Sequence, residues 1–134
     1  MKRLLPASAL VILLLVGPAA AKDCGDDATQ AELNACADAT YKAADHQLNL
    51  AYGEIVARLK DDPEGKARLL KSQRAWIAWR DDECAFATGP SADGSIYPML
   101  LAGCLEGLTI ARTEGLNVYL ACEEGDMSCP VPAQ

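Results

Sequence analysis

The first regular pattern of apolar and polar positions along the chain has the period of an α-helix. Thr29 and Glu32 form a capping-box pattern, in which the hydroxyl and the carboxylate each cover an otherwise unpaired backbone N–H. The pattern predicts one long helix that starts near Asp27 or Thr29 and ends at residues 61–65, with Gly53 as its weakest point. Its apolar residues are three or four positions apart and therefore share one helix face: Leu33, Ala37, Tyr41, Ala44, Leu48, Tyr52, Ile55 and Leu59.

Two further helices follow from the apolar spacing and from the turn residues between them. A second helix is predicted from about residues 64–66 to Thr88, with an apolar surface made by Leu69, Leu70, Trp76, Ile77, Trp79, Cys84 and Phe86. Residues 89–95 are rich in Gly, Pro, Ser and Asp, which are turn formers. A third helix is predicted from residues 96–98 to about Cys122. Its buried side is marked by Leu101, Leu105, Leu108, Ala111 and Leu116, with Val118 and Leu120 near its end.

The fold class that these elements predict is all-α. No segment alternates with the period of two that is typical of a β-strand. We expect a small antiparallel helical bundle, in which a helical hairpin packs on one long helix and disulfide bonds staple the assembly. The 134 residues suit one domain. We divide the chain into a leader at 1–21, a helical domain at 22–122 and an irregular, acidic and then Pro-rich tail at 123–134.

Residues 1–21 have the organisation of a secretory signal peptide. Lys2 and Arg3 precede an apolar run at 9–16, and the alanines at 19–21 supply the small residues of a cleavage site. An uncleaved membrane anchor is the alternative, but the apolar run is too short to cross a bilayer comfortably. We therefore expect cleavage after this segment and a periplasmic or secreted protein that does not contact the membrane after cleavage.

The charge of the chain restricts its partners. It has 12 basic and 19 acidic residues, and loss of Lys2 and Arg3 leaves 10 basic residues and a net charge of −9. Nucleic-acid binding needs a clustered basic surface, so we expect no nucleic-acid partner. A basic protein partner is compatible with this charge. The sequence favours no particular oligomeric state.

The six cysteines all lie after the predicted leader, and no Cys-x-x-Cys motif occurs. An even count in an exported chain predicts disulfide bonds rather than metal thiolates. One bond clamps the entrance of the first helix, one closes the hairpin loop and one fastens the tail, which gives the pairs Cys24–Cys36, Cys84–Cys104 and Cys122–Cys129. A Cys36–Cys84 bond between helices stays an open alternative.

No complete catalytic motif occurs in the chain. His46 is the only histidine, and its neighbour Asp45 points about 100° away on a helix, so the two do not form a relay. No serine lies in a Gly-x-Ser-x-Gly motif. We therefore predict a protein that is not an enzyme, with no catalytic residue, no cofactor and no metal. A cell-wall glycan hydrolase that uses two of the acidic residues is the alternative.

The densest group of chemically distinctive residues is the segment 73–84. Trp76, Arg80 and Cys84 are spaced by four, so that Arg80 can stack on Trp76 on one helix face. Arg112 of the third helix is expected near Asp81 or Glu83. We interpret the group as a packing seam between helices, with structural roles for Gln73, Arg74, Trp76, Arg80, Asp81 and Arg112.

This segment belongs to a series of short motifs that extends in order over about residues 24–116. The motifs are Thr29–Ala37, Tyr41, Ala44-Asp45, Leu48-Asn49, Tyr52, Gln73–Trp76, Arg80-Asp81, Cys84, Gly94-Ser95, Met99, Cys104-Leu105, Leu108-Thr109 and Arg112. In this series the chain resembles the lysozyme inhibitor LprI-type N-terminal domain family. The departures from the family pattern are Gly53, Trp79 and the pair Cys122 and Cys129. The resemblance implies a periplasmic or cell-surface helical domain and, for one branch of the family, binding and inhibition of lysozyme.

Our leading hypothesis is an exported, non-enzymatic protein-binding module whose partner is lysozyme or another basic envelope protein. Because lysozymes are typically basic, a net negative charge would steer the association. The loop at 89–98 is a candidate rigid probe, with Asp93, Ser95 and Tyr97 as candidate partner-binding residues. The alternative is a structural or stress-related cell-envelope protein without inhibitory activity.

Overall fold

The computed structural model describes residues 24–133, and within this range it consists of three α-helices and no strand. Helix α1 spans Gln30–Arg58, α2 spans Pro63–Thr88 and α3 spans Tyr97–Leu120, while Gly89–Ser91 form a short 3-10 turn. The all-α prediction is therefore confirmed. The predicted signal peptide lies outside the described residues.

The first two helices begin at caps that the local sequence provides. The backbone N–H of Thr29 donates to Glu32 Oε2 at 2.9 Å, and the Glu32 N–H donates to the Thr29 hydroxyl, which completes the capping box. Asp62 caps α2 by accepting from the Gly65 N–H at 2.8 Å, and Pro63 occupies the first turn. A Cβ atom at position 65 would collide with the Asp62 carboxylate, so any other residue there would have to displace the group that caps the helix.

The three helices run up, down and up, which places α1 and α3 side by side in the same direction. Three hydrogen bonds connect these two helices or their ends at successive levels, from Asn34 Nδ2 to Ser95 O at 3.0 Å, from Thr40 Oγ1 to Glu106 Oε2 at 3.0 Å and from Arg58 to Leu120 O at 2.8 Å. The hairpin of α2 and α3 packs on α1, as predicted. Most of its contact with α1 is made by α3.

The apolar core lies toward the end of the bundle that is distant from the α2–α3 loop. Every residue of the predicted apolar face of α1 is buried or half-buried. The buried cluster consists of Leu48, Ala51, Ile55, Leu59, Leu116 and Val131, with Tyr52, Leu69, Trp76 and Leu120 packed against it. Val131 belongs to the irregular tail, so the tail closes the core rather than extending from it.

The predicted apolar surface of α2 is partly wrong. Only Leu69, Trp76 and Cys84 of that set are buried or half-buried, whereas Leu70, Ile77, Trp79 and Phe86 are exposed. The buried positions of α2 are spaced by seven, four and four residues and so share one helix face, but most of them are polar: Gln73, Arg80, Cys84 and Thr88. In a three-helix bundle only one face of α2 meets its neighbours, and hydrogen bonding, not apolarity, selects that face here.

Helix α3 shows the same kind of difference on a smaller scale. Leu101, Leu105, Leu108 and Leu116 are buried or half-buried as predicted, but Ala111 and Val118 are exposed. Thr109 is fully buried between the helices, a position that an apolar pattern does not reveal.

Three disulfide bonds fix the ends of the helices. Their Cα–Cα distances are 6.2, 5.7 and 5.7 Å for Cys24–Cys36, Cys84–Cys104 and Cys122–Cys129, respectively. These are the pairs favoured by the spacing, and the alternative Cys36–Cys84 bond is not formed. The second bond joins α2 to α3 directly, and the third holds the start of the tail at the end of α3.

Candidate functional site

Arg80 is the centre of a buried polar cluster between the three helices. Its side chain is 8% exposed and lies on the face of α2 that meets α1 and α3. The guanidinium forms an ion pair with Asp81 at 2.8 Å, lies 3.8 Å from an Asp45 carboxylate oxygen and donates to Thr109 Oγ1 at 3.3 Å. Asp45 belongs to α1 and Thr109 to α3, so one side chain connects all three helices.

Trp76 lies between two guanidinium groups in the same cluster. The Arg80 guanidinium carbon is 5.1 Å from the Trp76 ring centroid, and that of Arg112 is 5.8 Å from it. Arg112 also donates to Gln73 Oε1 at 3.1 Å and to Ser72 Oγ at 3.3 Å. Arg112 therefore contacts the middle of α2, and its expected position near Asp81 or Glu83 is wrong.

The buried cluster satisfies its own hydrogen-bonding groups. Within the described residues, no fully buried side-chain nitrogen or oxygen lacks a hydrogen-bond partner. A cation in such a site is stabilised by its carboxylates, hydroxyl and aromatic rings, and it offers little to a ligand. The cluster therefore holds the helices in register. Arg74, predicted with this group, is instead exposed on the surface of α2.

The groups that could carry acid–base chemistry are not brought together. His46 is exposed on α1, while the Asp45 carboxylate accepts from Asn49 at 3.0 Å and faces Arg80. Over residues 24–133, no group of three His, Cys, Asp or Glu side chains has the arrangement of a metal site.

The loop between α2 and α3 is built from consecutive turns. The N–H groups of Ala92, Gly94 and Tyr97 each donate to the carbonyl three residues earlier, at 2.9–3.1 Å. Asn34 of α1 donates to the Ser95 carbonyl, which fastens the loop to the bundle. Asp93 and Ser95 are exposed at the loop surface, while Tyr97 is half-buried in the first turn of α3.

The charges of the described chain are divided unequally between its two halves. The level of Arg80, which contacts Tyr41 and Thr109, separates a loop half (residues 24–41 and 81–111) from a tail half (residues 42–80 and 112–133). The loop half contains nine Asp and Glu residues and no Lys or Arg. The tail half contains nine acidic and nine basic residues. The net charge of −9 is therefore carried by the loop half alone.

The loop half and the turn of α2 just before it also present exposed aromatic surface that the apolar pattern assigned to the interior. Phe86 is 82% exposed, and Trp79, immediately before the dividing level, is 51% exposed. Asp82 and Glu83 lie between them in the sequence and are exposed as well. The signal that could have found this surface is the helical phase, because Trp79 and Phe86 lie off the face defined by Trp76, Arg80 and Cys84.

These features define a class of small, disulfide-stapled helical domain that has a self-contained polar seam and one strongly acidic half. A family model described as "Lysozyme inhibitor LprI" matches residues 20–116. The chain belongs to this family, and the resemblance deduced from the sequence is confirmed. Along residues 24–133, none of the helices has both the length and the apolarity needed to cross a membrane.

Two curated relatives are uncharacterized proteins. Protein R02472 of Rhizobium meliloti (strain 1021) is 37% identical over 139 residues, which cover 92% of this chain and 99% of the relative. Protein YecT of Escherichia coli (strain K12) is 39% identical over 79 residues, which cover 48% of this chain and 49% of YecT. No solved structure matches the chain.

Proposed function

We propose that the protein is an exported, non-enzymatic module that binds a lysozyme and inhibits it. The observation that carries this proposal is the charge division: nine acidic residues and no basic residue in the half that carries the loop. Lysozymes are typically basic, and opposite charge on the two surfaces accelerates encounter and orients the partners. Membership of the LprI family supports the same partner.

The covalent structure supports an exported location. Three disulfide bonds in 110 described residues are typical of proteins that fold in an oxidising compartment. The periplasm or the extracellular space is such a compartment, and it is also where a lysozyme would meet the protein. The predicted signal peptide at residues 1–21 agrees with this location.

The loop offers a preorganised contact surface. Asp93 and Ser95 are exposed on turns that are closed by backbone hydrogen bonds, and Cys84–Cys104 joins the two helices below the loop. A loop that is already fixed loses little conformational entropy on binding. We include Asp93, Ser95 and Tyr97 among the partner-contacting residues.

The test is a lysis assay with hen egg-white lysozyme and a suspension of bacterial cells. We expect the purified protein, with its disulfide bonds intact, to slow the loss of turbidity, and added salt to weaken this inhibition. Normal lysis in the presence of a large molar excess of the protein would overturn the proposal.

Two controls separate the inhibitor from the alternatives. Retention of the protein on purified peptidoglycan, without inhibition of lysozyme, would indicate a structural envelope protein. Release of sugar fragments from cell-wall glycan by the protein alone would indicate a hydrolase.

A further inference from the structure

We propose that the partner docks on the outward face of the C-terminal half of α2. This surface, here named the α2 strip, consists of Trp79, Asp82, Glu83 and Phe86. The surface of the partner that binds there is cationic and has an apolar patch flanked by Lys or Arg side chains. The inference rests on the proposed function for the identity of the partner, and its test separates the two.

Helical geometry places the four side chains together. Trp79 and Phe86 are seven residues apart, which brings them to within about 20° of each other around the helix axis. Asp82 and Glu83 lie three and four residues after Trp79, and four and three residues before Phe86. They therefore flank the aromatic pair on its two sides. The result is an aromatic ridge with a carboxylate on each side.

The α2 strip points away from the rest of the bundle. The inward face of the same helical segment carries Arg80 and Cys84, which are both buried. The exposed fractions of Trp79 and Phe86, 51% and 82%, leave about half of Trp79 and most of Phe86 open to a partner. Burial of such exposed apolar rings against a partner is favourable for binding. Trp is also among the residues that most often dominate the binding energy of protein interfaces.

The chemistry of the flanking groups specifies a cationic partner. Within the described chain, no ion pair involves Asp82 or Glu83, and the loop half has no basic residue that would compete for them. Arg side chains of a partner can pair with these carboxylates and stack on the Trp79 ring at the same time. Two carboxylates beside an aromatic ridge repel an acidic surface and disfavour an uncharged apolar one.

The strip is rigid, which favours tight docking. The Cys84–Cys104 bond and the Arg80 cluster both lie on the inward face of the same two turns and join them to the other helices. The side chains of the strip are therefore held on a helix whose position relative to α1 and α3 is set before the partner arrives.

Two probes and two types of variant test the strip. The probes are hen egg-white lysozyme and cytochrome c, a basic protein that is not a lysozyme, and the dissociation constant is measured by calorimetry for each. The first type, Phe86→Ala, removes an aromatic ring. Its control is Val118→Ala, because Val118 is an apolar residue of the tail half that is 69% exposed. The second type reverses adjacent charges, Asp82→Lys with Glu83→Lys, and its control is Glu123→Lys with Glu124→Lys.

The two charge-reversal variants change the net charge of the protein by the same amount, so that any difference between them reports position. Circular dichroism and thermal unfolding confirm that each variant folds. We expect Phe86→Ala to weaken lysozyme binding by roughly 30-fold and the strip charge reversal by at least as much. We expect both control variants to bind within about threefold of the natural protein.

The possible outcomes distinguish the strip from the proposed function. If lysozyme binds the natural protein and all four variants equally, the strip is wrong and the proposed function stands. Equal losses in the two charge-reversal variants, with no effect of Phe86→Ala, would also contradict the strip, because net charge alone would explain binding. If only cytochrome c binds, and binds through the strip, the lysozyme function is wrong and the cationic docking surface stands. If neither probe binds, both proposals fail.

Discussion

At the scale of single residues, the most consequential side chain is Arg80. A buried guanidinium is costly to desolvate unless its donors and its charge are satisfied. Here one carboxylate of its own helix, one of α1 and a hydroxyl of α3 surround it, and the Trp76 and Tyr41 rings lie 5.1 and 5.7 Å from it. The residue therefore determines how α2 is placed, although it contributes little apolar area.

We expect Arg80→Ala to lower the free energy of unfolding by about 2–3 kcal/mol, because it removes hydrogen bonds to charged groups and a contact between a cation and an aromatic ring. Chemical denaturation monitored by circular dichroism measures this loss. Arg74→Ala is the matched control, since Arg74 is exposed on the same helix and its loss should cost no more than about 0.5 kcal/mol. Equal effects of the two substitutions would contradict the role assigned to Arg80.

Asp126 is the described residue whose acidity the fold clearly changes. The side chain and the backbone N–H of Ser128 both donate to its carboxylate, at 2.6 and 2.9 Å, and these bonds hold the pKa of Asp126 below its ordinary value. A carboxyl group whose pKa is lower in the folded than in the unfolded state stabilises the fold at pH values above its unfolded pKa. That contribution is lost as the pH falls through the folded pKa.

We therefore expect the carboxyl resonance of Asp126 to titrate below the usual range for aspartate in an NMR experiment on the folded protein. Ser128→Ala should move its pKa upward, toward the ordinary value, because it removes the shorter of the two hydrogen bonds. The same carboxyl group in the protein unfolded by urea provides the reference value. If the pKa of Asp126 is unchanged in Ser128→Ala, the hydrogen bond from the Ser128 side chain is not the cause of the lowered pKa.

At the scale of elements, the ends of the helices were predictable from local sequence signals. The capping box, Pro63 and the turn formers after Thr88 indicated where helices begin and end, and the structure differs by only a few residues. The buried face of α1 was predictable because its residues are apolar and are spaced at the helical period. The face of α2 was not, since Arg80 and Gln73 are buried by hydrogen bonds whose partners lie on other helices. Such partners become known only when the fold is known.

The tail is the element whose role the sequence did not indicate. Val131 is 4% exposed and belongs to the core, although it follows a run of acidic residues in an irregular segment. The Cys122–Cys129 bond brings the chain back beside the end of α3, two residues before Val131. We infer that the bond stabilises the protein in part by keeping Val131 in place, in addition to the closure of the loop itself.

A double-mutant cycle tests this coupling. With the bond intact, Val131→Ala should lower the free energy of unfolding by about 1.5 kcal/mol, which corresponds to two buried methyl groups. Replacing both cysteines by alanine should cost about 2 kcal/mol by loss of loop closure alone. In that background, Val131→Ala should cost less than about 0.5 kcal/mol. Additive effects, measured by urea denaturation, would show that the bond and Val131 act independently.

At the scale of the whole molecule, the net charge could be counted from the sequence, but the distribution of that charge over the folded protein could not. Acidic residues at 26–38, at 81–83 and at 93 are distant along the chain, and only the up, down, up arrangement brings them to one end. The other half balances nine acidic residues with nine basic ones. The protein therefore presents a directed field, which can orient a basic partner before contact.

This field should act on the rate of association more than on the rate of dissociation. We expect the variant with Asp26→Asn, Asp27→Asn and Asp38→Asn to associate several-fold more slowly with lysozyme at low salt, because it removes three exposed charges from the loop half and leaves both the loop residues and the α2 strip intact. The difference from the natural protein should shrink as salt screens the remaining charges. Stopped-flow fluorescence over a salt series measures both rates.

The matched variant, Asp61→Asn with Glu123→Gln and Glu124→Gln, removes the same charge from the tail half at exposed positions. Its association rate should stay close to that of the natural protein, since these groups lie at the end directed away from the partner. Phe86→Ala should give the complementary result, with faster dissociation and a nearly unchanged association rate, because a short-range aromatic contact forms only after encounter. Equal slowing of association by the two charge variants would mean that the partner responds to the total charge of the protein and not to its acidic end.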